Sequence, residues 1–471
     1  MLEQAYDVQN FREWGHQLID LLSDHLQKVQ TDRNFPVISY REPEQELQHW
    51  QQDFQKTGEP IDLFKDILQH SIHVHHPRYI GHQVSVPALV AGLAGLMSDV
   101  LSNGTGVYEM GMSSNALERV VTDWLAQKIG YDANAAGIMT SGGSLANLTA
   151  LLAARKAKAP TEVWEHGHHE NLAVLVSEEA HYCIDRAARI MGMGSAGIIK
   201  VPVNEHFQIR MDLLEDHLRQ AEAKGLKVIA VVGCAASTAT GSYDDLNALA
   251  DFCAKHDLWL HVDGAHGGAV VVSEKYRHLA AGIERADSVV IDFHKMLMTP
   301  SLSTALIFKR GADSFKTFIQ KAQYLWDAQQ APEWYHSGKR TFECTKFMMS
   351  IKMYSILKTY GERIFSENVE RLYDLGKAFA NMIRERPHFE LAAEPEANIV
   401  NFRYANAPAE QLNELNSSIR GALLESGKFY IVQTLLQGKR YLRTTIMNPL
   451  TKETDLEALL DEIERLGGIL Q

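Results

Sequence analysis

From residue 137 to residue 308 the chain alternates short apolar runs with stretches of helical periodicity. The runs 172–177, 197–203, 227–233, 258–262, 288–292 and 303–308 are rich in Val, Ile and Leu and closed by turn residues. They are too short for buried helices, so they predict strands. Helical spacing at 211–224 and 244–256 fills gaps between them. The segment from Gly137 reads as a further short strand, a Ser/Gly turn and a helix from about Ser144. Strands alternating with helices predict a mainly parallel sheet covered on both faces. Upstream the pattern changes. Phe11, Trp14, Leu18, Leu21, Leu22 and Leu26 recur at helical spacing, and helices around 43–56 and 61–70 follow with no strand between. That is the pattern of an arm. Asn115 is expected to cap a helix running to Ile129. Downstream, helices at 342–360 and 363–385 lead into an α+β tail with strands at 397–403 and 440–447 and a helix at 453–466. The polar, aromatic-bearing segment 319–340 has little periodicity and reads as a mobile loop.

Composition narrows the partners. The chain has 471 residues, 45% of them hydrophobic, with formal charge −13. Such an acidic balance favours neither nucleic acid nor an anionic membrane surface. The start, MLEQAYDVQNFREW, lacks the basic-then-apolar pattern of a secretory signal, and no uncharged apolar run is long enough to span a bilayer. Cys183, Cys234, Cys253 and Cys344 form no CxxC pair, which fits reduced thiols in a cytoplasm and silent sequons at Asn103 and Asn147. A histidine-rich patch, His70, His73, His75 and His76, has no Cys or carboxylate at ligand spacing, so no metal is expected.

The chemistry collects at strand ends, where ligands sit in open α/β sheets. Strand 288–291 runs directly into Asp292, His294 and Lys295, with Phe293 before the lysine and Met296, Leu297 and Met298 after it. A lysine with that apolar company is a candidate nucleophile for a carbonyl. Strand 172–177 leads to His181, an aromatic titratable ring that can stack on a flat ligand. Strand 227–233 leads to the hydroxyl-rich segment Cys234–Ser242. Strand 258–262 leads to Asp263, then glycines. A buried carboxylate in that place demands a partner. The turn before the helix at Ser144 exposes backbone N–H groups that can cradle a phosphate, although the Gly-Lys-Ser/Thr ending of a Walker loop is absent. Gly192-Met-Gly-Ser-Ala-Gly197 spells GxGxxG, but it follows a helix and precedes a strand, the reverse of a dinucleotide fingerprint.

An amine, an upstream carboxylate, a stacking ring and a phosphate cradle are what pyridoxal phosphate requires. With His-Val-Asp-Gly-Ala at 261–265 and His-Lys-Met at 294–296, the chain resembles the group II pyridoxal-phosphate decarboxylases over nearly its whole length. These include aromatic-amino-acid, glutamate and 2,4-diaminobutyrate decarboxylases. The resemblance implies an α/β fold of fold type I: an N-terminal arm (1–76), a large domain on a mixed seven-stranded sheet (77–345) and a small α+β domain (346–471). It implies that Lys295 carries the cofactor as a Schiff base, with His294 beside the phosphate and Asp263 on the ring nitrogen. Ala265 and His181 would take the two ring faces, and Gly143 and Ser144 the phosphate, with Asp292 nearby where relatives often have Asn. Thr238 resembles the hydroxyl that holds the 235–240 loop, and Arg443 an arginine some relatives use on the substrate carboxylate. It also implies a homodimer with composite sites. Aligning on Gly338-Lys-Arg340 puts no tyrosine where relatives keep a proton donor, leaving Tyr335 or Tyr324 for that part. His266 replaces an aromatic residue. The expected reaction is α-decarboxylation of an L-amino acid, with 2,4-diaminobutyrate, acidic and aromatic amino acids as candidates. The alternative is an aldehyde synthase, aminotransferase or lyase on the same fold.

Overall fold

The computed structural model describes residues 1–318 and 333–470. Two compact units divide the chain: 83–377 with 393–399, and 1–82 with 378–392 and 400–471.

The first unit is built on seven strands: β1 (Ala136–Thr140), β2 (Asn171–Ser177), β3 (Ile198–Val201), β4 (Leu226–Cys234), β5 (Trp259–Asp263), β6 (Ser288–Asp292) and β7 (Thr304–Phe308). Their spatial order is β1-β7-β6-β5-β4-β2-β3. The pairs from β6 to β3 are parallel, whereas β7 is antiparallel to both β6 and β1. Every residue of β1, β5, β6 and β7 is buried. This explains why these strands read as continuous apolar runs rather than alternating ones. Because β7 runs against both neighbours, β1 ends at the same edge as β6. Thr140, Thr304 and Asp292 stand in one row across β1, β7 and β6. On β5, Asp263 pairs with Cys234 of β4 and Val290 of β6. The sheet therefore brings the end of every candidate strand to one edge.

Helix boundaries depart from expectation in two places. The helix expected from Asn115 begins at Tyr108 and runs to Ile129, with non-helical backbone at Met112 (φ 27°). Asn115 lies buried inside it, and its Nδ2 donates to the Tyr335 carbonyl instead of capping. The helix expected from 342 begins at Met349, after a short 3-10 turn at Ser337–Lys339. The GxGxxG segment sits between the helix Tyr182–Ile190 and β3, as its context in the sequence implies. Of the 319–340 segment, 319–332 lies outside the described residues, Tyr324 included.

The second unit carries the helices Val8–Thr31, Pro43–Asp53 and Pro60–Gln69, and a four-stranded sheet of β8 (Phe389–Leu391), β9 (Ile399–Tyr404), β10 (Val432–Leu436) and β11 (Lys439–Thr445) in the order β10-β11-β9-β8. Its amino- and carboxyl-terminal parts are joined by Arg33 Nε on Asp455 Oδ1 at 2.8 Å, and by the Val37 N–H donating to the Gly427 carbonyl at 2.8 Å. Among the described residues, no helix is long and apolar enough to cross a membrane.

Candidate active site

At the end of β6 the chain turns sharply, and Lys295 comes back over Asp292: Nζ lies 3.1 Å from Asp292 Oδ2. The Asp292 side chain is 3% exposed, and its Oδ1 accepts from Thr304 Oγ1 at 2.5 Å. The Asp292 charge thus has a cation and a hydroxyl as partners, which a buried carboxylate needs. His294 Nε2 is 3.7 Å from the same carboxylate, and its Nδ1 is 2.8 Å from the Ser303 carbonyl. One strand over, Asp263 is buried and its Oδ1 accepts from Ala265 N–H at 3.2 Å. The Asp292 N–H donates to the Ala265 carbonyl at 3.1 Å, tying the two strand ends together.

His181 caps the helix Tyr182–Ile190, its Nδ1 accepting from the Cys183 N–H at 3.3 Å. Burial pushes its imidazole below the ordinary value. Asp263 and Asp292 oppose that shift, and Lys295 adds to it. His181 is thus within electrostatic reach of Asp263, Asp292 and Lys295, and an imidazole kept neutral presents a flat apolar face.

The turn after β1 supplies the cradle. Gly142 takes φ +125°, which L side chains rarely adopt. A Cβ at Gly143 would meet the Asp292 oxygens at 3.2 and 3.3 Å and the Ala265 Cβ at 3.6 Å, so glycine keeps this approach open. The helix Gly143–Lys158 starts there with no side-chain cap, leaving its first N–H groups for an anion. An amine, two carboxylates, a neutral ring and an uncapped helix start at one edge suit pyridoxal phosphate.

Beneath this edge lies a buried chain of hydrogen bonds that the sequence does not reveal. Asn147 Oδ1 is 2.7 Å from His261 Nε2, His261 Nδ1 is 2.8 Å from Ser288 Oγ, and Trp259 Nε1 donates to Ser288 Oγ at 2.9 Å. Asn147 Nδ2 also reaches Cys183 Sγ. Burial pushes His261 down to about 4, so the ring is neutral and both nitrogens are used. The network links the cradle helix, β5 below Asp263, β6 below Lys295, and the His181 helix. Buried in this way, Asn147 cannot serve as a glycosylation site.

The remaining candidates are placed as follows. The Thr238 carbonyl accepts from Gln83 Nε2 at 3.4 Å, in the 235–240 loop after β4. His266 is buried, with Nε2 2.7 Å from Asn398 Oδ1. The Tyr335 hydroxyl donates to Glu333 Oε1 at 3.3 Å and its ring meets Tyr108 edge-on; neither contact leads to Lys295. Arg443 lies on β11 in the other unit, where burial lowers its guanidinium from the ordinary value. The four cysteines are all free thiols.

The model of the pyridoxal-dependent decarboxylase conserved domain matches residues 42–405. The chain belongs to that family. It is a pyridoxal-phosphate-dependent decarboxylase, a carboxy-lyase. An aromatic-L-amino-acid decarboxylase from Bacillus atrophaeus is 27% identical, over 98% of this chain and 96% of the relative. The human acidic amino acid decarboxylase GADL1 is 29% identical, over 93% and 87%. An L-2,4-diaminobutyrate decarboxylase from Acinetobacter baumannii is 28% identical, over 91% and 86%. Among solved structures, mouse CSAD superposes with a TM-score of 0.91 at 25% identity, over 98% and 99% of the two chains. The fold-type I decarboxylase architecture expected from the sequence is therefore shown, as is the cofactor.

Proposed function

We propose that this decarboxylase removes the α-carboxylate of an L-amino acid to give the amine and CO₂, working in the cytoplasm as a homodimer with composite sites. The observation that carries the reading is the convergence of Lys295, Asp292, Asp263 and His181 on the edge where the uncapped helix begins. Bound there, pyridoxal phosphate supplies an electron sink for the pair released when the Cα–carboxylate bond breaks. The chain's residues do the rest. Lys295 would hold the cofactor through its amine, the group with which the substrate amine competes. Asp263 would keep a proton on the ring nitrogen, which deepens the sink. His181 and Ala265 would fix the ring. Gly143 and Ser144 would hold the phosphate with His294 beside it, Thr238 would hold the active-site end of the 235–240 loop, and Asp292 stays paired nearby. Arg443 would take the substrate carboxylate with its forked donors. Tyr335 or Tyr324 would serve as proton donor to Cα; burial and Glu333 hold the Tyr335 phenol above the ordinary value, so it keeps its proton.

The dimer is supported by the helix Leu89–Leu101, which leaves Leu89, Leu93, Leu96, Met97 and Val100 between 43% and 59% exposed. An apolar stripe of that kind marks an interaction surface. The relatives' names divide between aromatic, acidic and 2,4-diaminobutyrate substrates, and these three classes are the candidates here. The test incubates purified, cofactor-loaded protein with the common L-amino acids and 2,4-diaminobutyrate, and measures CO₂ and products by mass spectrometry. One amine with equimolar CO₂ is expected. Aldehyde with ammonia would move the reaction to an aldehyde synthase, and no CO₂ from any substrate would overturn the proposal.

A further inference from the structure

The helices Pro43–Asp53 and Pro60–Gln69 carry a cluster that the decarboxylation does not use. Asp66 and His70 are four residues apart and so share one helix face. His49 reaches them from the other helix. His49 Nε2 is 2.7 Å from Asp66 Oδ2 and His70 Nε2 is 3.5 Å from Asp66 Oδ1. One ligand atom from each of the three residues lies within 4.8 Å of the other two. A tetrahedral zinc with bonds of about 2.0–2.1 Å sets its ligands roughly 3.3 Å apart, so shifts of about an ångström complete the geometry.

A second observation bears on the same point. His70 Nδ1 is 2.9 Å from Glu46 Oε1. With the Nδ1 proton donated to Glu46, the Nε2 lone pair lies on the side of Asp66, where a cation can take it together with the carboxylate. A carboxylate behind the far nitrogen is also how metal-bound histidines are oriented. Arg41 is the cation now nearest, with Nη1 3.1 Å from His70 Nε2. It stands on the rim of a cavity of ≈ 790 Å³ that His49, Asp66 and His70 also line, so there is a path for an ion to enter. The sequence shows a histidine-rich patch at 70–76, but His73 packs on His25 and Phe35 and His76 is buried. Only His70 of that patch joins the cluster.

We propose that His49, Asp66 and His70 form a site for a divalent transition-metal ion of the zinc class, with at least one open position and Glu46 as the orienting carboxylate. Two imidazoles and one carboxylate select such ions over calcium or magnesium. The bound ion clamps the two helices and takes no part in the reaction.

The test titrates metal-free, cofactor-loaded enzyme with Zn²⁺ against a chromophoric chelator, and with Co²⁺ to read its visible ligand-field bands. One Zn²⁺ per chain is expected at micromolar affinity or tighter, with Co²⁺ bands of low coordination number. His49→Gln and His70→Gln should each weaken Zn²⁺ binding at least about a hundredfold, and Glu46→Gln about ten- to a hundredfold, with decarboxylation unchanged. Arg41→Ala leaves every ligand in place and removes a competing positive charge, so it should tighten binding. The proposal is overturned if no stoichiometric ion binds, or if both histidine variants retain it through other side chains. Should a histidine variant fail to fold, weaker Zn²⁺ binding by Arg41→Ala would overturn it independently.

Discussion

Replacing Asp263 by alanine tests the electrostatic core of the proposed chemistry. The carboxylate stands at the end of β5, is 8% exposed, and accepts from the Ala265 N–H. A carboxylate about 3 Å from a protonated ring nitrogen interacts with it by about 5–6 kcal/mol at an effective dielectric of about 20. Part of that offsets the cost of burying the two charges. If several kcal/mol survive at the bond-breaking step, the rate falls at least about a thousandfold, since each factor of ten is about 1.4 kcal/mol. Cofactor affinity should fall much less, because the uncapped helix start at Gly143, the His181 ring and the Lys295 amine all remain. Asp263→Glu keeps the charge but moves it by one methylene, so its loss should be intermediate. The assay is single-turnover CO₂ release at saturating pyridoxal phosphate. Near-normal release by the alanine variant would reduce Asp263 to a structural strand-end carboxylate and refute the reasoning.

Two further variants probe the assembly and the scaffold. Deleting residues 1–60 should abolish both dimerisation, read by size-exclusion chromatography with light scattering, and activity; an active, soluble monomer would count against composite sites. Lys346 Nζ, almost wholly buried, donates to Glu118 Oε1 at 2.6 Å and to the Met139 carbonyl of β1 at 2.7 Å. Lys346→Met should cost about 3–5 kcal/mol in urea unfolding by stranding the Glu118 charge, with part recovered in the Lys346→Met/Glu118→Met double variant. A loss below about 1 kcal/mol would mean that water or another group solvates Glu118.

The large sheet was legible because its strands are buried on both faces and closed by residues that strands tolerate poorly. The run read as 227–233 is β4 at Leu226–Cys234, and that read as 258–262 is β5 at Trp259–Asp263. Short or half-buried strands were not legible. β8 has three residues, and β10 buries only its end residues, Val432 and Leu436, before the hairpin turn at Gln437–Gly438. The Asn115 cap failed because the chain enters its helix seven residues earlier and breaks at Met112 instead. At the site, Asp263, Asp292 and Lys295 could be found because each closes or follows an apolar run. The contacts of Asn147 with His261 and of Thr304 with Asp292 could not. They depend on register and on partners 114 and 12 residues away, and no local pattern encodes them. The same holds for His49, which reaches Asp66 and His70 only when two helices pack.

The most direct test of the account is to find which lysine holds the cofactor. Wild-type enzyme loaded with pyridoxal phosphate is reduced with borohydride, digested, and mapped by mass spectrometry. The account predicts a yellow protein with one pyridoxyl group per chain on the peptide containing His294, Lys295 and Met296, and no label at that peptide in Lys295→Ala. A label on any other lysine, or a colourless and unlabelled protein after incubation with the cofactor, would contradict it.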